Sequence, residues 1–133
     1  MKRFHLTLFM VLALSLTLLA AASGPASATE KLPVKGMVTL VDLGSHQCIP
    51  CRMMEPILAE LKEEYKGRAA IVFLDVWKDR SLAPQYGIRA IPTQVFYDKQ
   101  GREAFRHEGF LSKENIELVL AKLGVEKPKA PAK

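Results

Sequence analysis

Cysteine is scarce in this chain: Cys48 and Cys51 are the only two in 133 residues. A disulfide-rich scaffold is therefore excluded. So is a four-thiolate zinc site, because no second Cys-x-x-Cys pair exists. No cysteine stands directly after the apolar opening, so lipid attachment at a new N-terminal cysteine is not expected. There is no internal repeat, and with it no solenoid. No basic run is interleaved with aromatic residues, so nucleic acid is not an expected partner. Charge of one sign is also thin. The formal net charge is +5, but residues 29–124 carry 14 basic and 13 acidic side chains.

The excess of positive charge sits at the two ends. Lys2 and Arg3 open the chain, and no charged residue follows between Leu6 and Ala22. Ala26-Ser27-Ala28 then fits a small-x-small cleavage site. Basic start, apolar run and small-residue exit describe a secretory signal peptide over residues 1–28. The alternative is an uncleaved membrane anchor, since the apolar run approaches bilayer-spanning length. Either way the protein is expected to be exported, periplasmic or secreted, with the membrane met only through an uncleaved signal. Cleavage after Ala28 leaves 105 of the 133 residues, enough for one domain with one core. Residues 29–36 read as a short lead. The last nine residues, VEKPKAPAK, hold three lysines and one glutamate and read as a disordered tail over 125–133.

Between these ends the pattern alternates. MVTLVDLGS (37–45) and AAIVFLDV (69–76) are short apolar runs that suit buried strands. In the segment after the cysteines, Ile57, Leu58, Leu61 and Tyr65 recur on one helical face; Pro56 should kink that helix and Gly67 end it. DRSLAPQYG (79–87) predicts a short helix closed by Gly87. TQVFYD (93–98) and EAFRHEGF (103–110) predict an antiparallel hairpin around Lys99-Gln100-Gly101. Ser112 is placed to cap a last helix, with Ile116, Val119, Leu120 and Leu123 as its apolar stripe and Gly124 at its end. The order strand, helix, strand, helix, strand, strand, helix implies an α/β fold with a mixed central sheet flanked by helices.

The cysteines fall in HQCIPC (46–51), at the junction of the first strand and first helix. A bridge three residues apart closes a tiny loop and stabilises little, so a purely structural staple is a poor account of it. At the helix start, unpaired N–H groups and the helix dipole favour a Cys48 thiolate, the reactive form. Cys51 is nearly one turn on and can return to Cys48. Pro50 suits the first turn. Cys48 would attack a partner disulfide and Cys51 would release the product. Asp42, a lone carboxylate in an apolar strand six residues earlier, is either a buried acid/base for Cys51 or a strand-end residue facing solvent. Pattern alone leaves both open.

VDLGSHQCIPC…P, YGIRAIPT and GFLSKENIELVLAKL together resemble the thioredoxin family over about residues 37–124. The resemblance implies a thioredoxin-like fold and a thiol:disulfide oxidoreductase that needs no cofactor. It implies Cys48 as nucleophile, Cys51 as resolving thiol and Asp42 as buried acid/base. It makes Pro92 the cis-proline facing the cysteines, with Ile91, Gly109, Ile49 and Pro50 on the substrate-facing surface, and Pro56 the family's helix kink. Protein thiols and disulfides are the implied substrates, cytochrome-maturation proteins among them, with an upstream electron donor and a monomeric state. Four departures stand out. Gln47 and Gly44 replace two tryptophans, Phe73 replaces the lysine beside the buried aspartate, and the dipeptide is Ile49-Pro50. The family's first strand and helix would fall within residues 1–28.

Rival expectations are a soft-metal site using His46, the two thiolates and Met53, and a docking module without turnover. The first lacks ligands for zinc, so no metal is expected. The second has no need of both cysteines. His46 is expected to be a turn residue that adjusts the Cys48 thiol. Disulfide reduction is the expected direction, with oxidation or isomerisation as the alternative.

Overall fold

The computed structural model describes residues 31–127. The expected signal peptide and its cleavage site lie outside them, as do the positions where the family's first strand and helix, expected to be missing here, would fall. The elements follow the predicted order: β1 (Val38–Gly44), α1 (Ile49–Glu64), β2 (Ala69–Asp75), α2 (Leu82–Tyr86), β3 (Thr93–Tyr97), β4 (Glu103–Glu108) and α3 (Lys113–Lys122). The strands form one sheet in the order β2-β1-β3-β4. β1 runs parallel to β2 and antiparallel to β3, and β3 pairs antiparallel with β4, so the sheet is mixed.

Alternation along β1 divides the core in two. Val38 and Leu40 face α1 and α3, packing with Met54, Leu58, Leu61, Phe96, Ile116 and Leu120. Val41 and Leu43 face the other side with Val76 and Val95, and the α2 residues Leu82 and Tyr86 cover them. Every residue of β1 is buried, which is why its sequence reads as a nearly continuous apolar run.

The local signals act where the chemistry requires. Ser112 Oγ accepts the Asn115 N–H at the start of α3, and Gly87 (φ +61°) closes α2 in the left-handed region. Asp98 accepts N–H groups from Gln100 and Arg102, each at 2.9 Å, and so builds the β3–β4 turn. The helix α1 runs on through Pro56 to Glu64. Val125, assigned to the tail by composition, is instead buried in the core beside Leu120, whose carbonyl accepts its N–H at 2.9 Å. Lys127 Nζ reaches Glu117 at 2.8 Å. Ordered packing therefore extends past Gly124.

Candidate active site

The turn between β1 and α1 is tied down by its own backbone. Cys48 N–H donates to Ser45 C=O at 3.1 Å, and Gln47 N–H donates to Ser45 Oγ at 3.2 Å. Cys48 is the N-cap of α1, with Pro50 in the first turn. Its Sγ accepts the Cys51 N–H at 3.4 Å. A sulfur in this position meets unpaired helix N–H groups and the positive end of the dipole. Cys48 and Cys51 are joined as a disulfide, with Cα atoms 5.3 Å apart. Cys48 is half-buried and Cys51 fully buried, so a partner meets Cys48 first.

Beneath Cys51 the strand β1 supplies a carboxylate. Asp42 is fully buried. Its register partners are Phe73 on β2 and Gln94 on β3. Gln94 Nε2 donates to Asp42 Oδ1 at 2.8 Å and also lies 3.2 Å from Met54 Sδ. Asp42 Oδ2 and Gln94 Oε1 are buried without a hydrogen-bond partner. Burial pushes the Asp42 carboxyl up from 3.8 to about 6, against the Gln94 hydrogen bond, which pulls it down. No cation opposes the desolvation on the β2 side, where Phe73 stands. The free Oδ2 is thus a buried proton acceptor that titrates near neutral pH, on the strand face that α1 covers.

Gln94 was missed in the sequence. The signal was available, since a glutamine inside TQVFY is as anomalous as an aspartate inside VTLVDLG. Its partner, however, lies 52 positions away.

Two of the sequence departures meet at one point. A Cβ on Gly44 would lie 3.1 Å from Cys51 Sγ and 3.1 Å from the Phe73 ring. The position where the resemblance implies a tryptophan is therefore crowded by Phe73 and the Cys51 sulfur. Phe73 in turn carries the His46 ring, with centroids 4.8 Å apart. His46 Nδ1 lies 2.7 Å from Glu55 Oε1. His46 is exposed in the turn, as expected, and its ring contacts Glu55 and Phe73. Met53 is exposed while Cys51 is fully buried, so these two residues of the soft-metal alternative lie in different surroundings.

The Ile91–Pro92 peptide bond is cis, and Ile91 lines a groove that Gln47, next to Cys48, also lines. Pro92 is buried, and its carbonyl accepts the Gly109 N–H at 2.7 Å. Gly109 has φ +96°, and a Cβ there would meet nothing within 4 Å. A glycine is required by the backbone, and the surface above it is open. Among the described residues neither the N–H nor the C=O of Ile91 takes part in a hydrogen bond. They are available to an extended segment laid alongside. Ile49 is 74 % exposed next to Cys48.

The family model for thioredoxin matches residues 27–122. The chain belongs to the thioredoxin family. Thioredoxins of Staphylococcus aureus strains Mu50 and MW2 are each 40% identical over 89 residues, covering 67% of this chain and 85% of theirs. The crystal structure of an exposed lipoprotein thioredoxin from Streptococcus pneumoniae aligns with TM-score 0.60 at 22% identity, over 66% of this chain and 86% of that one. That neighbour bears on the fold alone. As a thioredoxin, this protein is a thiol–disulfide oxidoreductase, and its redox-active disulfide is Cys48–Cys51.

Proposed function

We propose that this thioredoxin is exported and reduces protein disulfides outside the cytoplasm. The observation that carries the reading is the asymmetry of the pair: Cys48 is accessible at a helix N-cap, while Cys51 is buried on the face that holds Asp42. In the reduced protein the Cys48 thiolate attacks one sulfur of a substrate disulfide and expels the other as a thiolate. The Asp42 carboxylate takes the Cys51 proton. Cys51 then attacks Cys48 Sγ, and the second substrate thiolate leaves. Two electrons pass to the substrate, and the Cys48–Cys51 disulfide remains for an upstream dithiol donor to reduce. Ile91, Pro92 and Gly109 receive the substrate backbone, with Ile49 and Pro50 against its side chains. Apoprotein disulfides formed between cysteines that must be reduced for haem attachment are one substrate class, and the protein acts as a monomer.

Export is supported by the opening residues, with their basic start, apolar run and Ala26-Ser27-Ala28 exit. Reduction is favoured over oxidation because the dipeptide Ile49-Pro50 places no cation beside Cys48 to stabilise its thiolate. Equilibrating the pair against dithiothreitol and glutathione buffers tests the direction. A potential near the glutathione couple or more oxidising would make the protein an oxidase or isomerase.

The Cys51→Ser variant tests roles and partners together. It should accumulate mixed disulfides in the envelope of the native host, seen as higher-mass bands that vanish on reduction. Cys48→Ser should trap nothing. Equal trapping by both variants would reverse the assignment of nucleophile and resolver.

A further inference from the structure

We infer that the substrate segment of this thioredoxin carries a carboxylate side chain within about three residues of its reacting cysteine, held by Arg80 and Arg89. This rests on the disulfide-exchange reading above and names the substrate class for that same site.

The surface in question is a groove of about 760 Å³ that runs from the cysteine turn at Gln47 along the Ile91 backbone. The chain following β2 gives one wall, with Val76, Trp77 and Arg80. The segment before Pro92 gives the other, with Arg89 and Ile91. Arg80 and Arg89 are its only charged lining residues. Neither makes a hydrogen bond or ion pair among the described residues, whereas Arg102 and Arg106 are both paired to acids. The acids nearest in sequence are already spent on the backbone. Asp75 accepts N–H groups from Trp77 and Lys78, and Asp79 accepts from Ser81 N–H and Oγ. Two guanidinium groups without a direct partner among the described residues therefore line a groove whose other side chains, Gln47 apart, are apolar. Its aromatic residue is Trp77, the one tryptophan of the chain and 51% exposed.

The wall is held in place. Arg106 on β4 pairs with Glu103 and also donates to the Tyr86 carbonyl at 3.0 Å, fixing the end of α2. A segment pairing with the free Ile91 N–H and C=O lies in this groove. At about 3.3 Å per extended residue, a side chain two or three positions along it is carried roughly 7–10 Å from Ile91, within the groove that Arg89 and Arg80 line. Guanidinium groups prefer a planar carboxylate there, with an apolar neighbour set against Trp77. The body of the protein is nearly neutral, with 14 basic and 13 acidic residues over 29–124. A preference for acid would thus come from this groove and not from overall charge.

The experiment uses disulfide-linked homodimers of one short peptide, with Glu, Gln or Lys two residues from its cysteine. Reduction by the reduced protein is timed at low ionic strength, and each rate is divided by the rate with dithiothreitol. That division removes the effect of the charge on the peptide's own thiol chemistry. Glu over Lys should exceed one by about tenfold, as expected for two solvent-exposed charge pairs exchanged for repulsions. Half-molar salt should bring the ratio close to one. The double variant Arg80→Glu, Arg89→Glu should invert it. A wild-type ratio of one at low salt, or a ratio the double variant leaves unchanged, overturns the inference. So does an equal peptide ratio accompanied by arginine-dependent binding to phosphatidylglycerol vesicles, which would make the partner an anionic surface. Failure of the underlying reading looks different: the Gln peptide would not be reduced at all, or would be reduced equally by Cys48→Ser.

Discussion

Replacing Gln94 by leucine isolates the one polar contact that Asp42 makes in the core. In the oxidised protein the cysteines do not titrate, so Asp42 can be followed alone. The Gln94 amide donates to Oδ1 at 2.8 Å and favours the charged carboxyl, while burial opposes it and sets the midpoint at about 6. A hydrogen bond to a charged group contributes about 1.5–3 kcal/mol, and one pH unit corresponds to about 1.4 kcal/mol. Without the amide the midpoint should climb by about one to two pH units. The sign of the stability effect follows. Asp42 titrates at 3.8 when unfolded and about 6 when folded, so the native state holds the extra proton between them. Stability from this group is therefore present below pH 3.8 and is lost as pH rises through 6. In the leucine variant that loss continues to higher pH. Urea unfolding should show little difference from wild type at pH 4, where Asp42 is neutral when folded, and about 1.5–3 kcal/mol less stability at pH 9. The assay is a carboxyl-carbon NMR titration of Asp42, with unfolding at both pH values. A midpoint that stays or falls, or an equal penalty at pH 4 and pH 9, would refute the reasoning.

Three other outcomes are expected. Asp42→Asn should stabilise the oxidised protein at neutral pH by about 3 kcal/mol, the pH gap between 3.8 and about 6 converted, and should slow release of product more than first attack. Unfolding curves and single-turnover kinetics check the two halves. Phe73→Lys should lower the Asp42 midpoint, because the two residues are cross-strand partners; an NMR midpoint that rises instead would separate them. Alkylation of the reduced protein near neutral pH should label Cys48 well before Cys51, and equal rates would count against the helix-start activation.

The element order was legible because each segment carried a strong local period. β1 and β2 are apolar apart from Thr39, Asp42 and Asp75, and the stripes of α1 and α3 recur every three to four residues. Gly87 and the Asp98 turn marked their own boundaries. The cysteine pair was legible because its spacing and its place at a helix start are both local. What escaped depends on contacts between distant positions. Gln94 and Asp42 meet only because β3 lies against β1 in one register. His46 read as a free turn residue until α1 brought Glu55 beside it. Val125 sits in a stretch whose composition is that of a solvated tail, yet a single apolar side chain at the end of α3 finds space in the core. The arginines of the groove come from two segments that share no local pattern.

The packing of Gly44 against Phe73 and Cys51 has a consequence for how this sequence can change. Any side chain at position 44 meets the Phe73 ring and the Cys51 sulfur at once. A tryptophan restored there would have to displace one of them. A lysine restored at position 73 would leave the space beside Gly44 unfilled and put a flexible chain under the His46 ring. A change at either position alters the packing of the other, so the two are expected to couple, and the side chain that leaves Asp42 without a neighbouring cation is the one packed against Gly44.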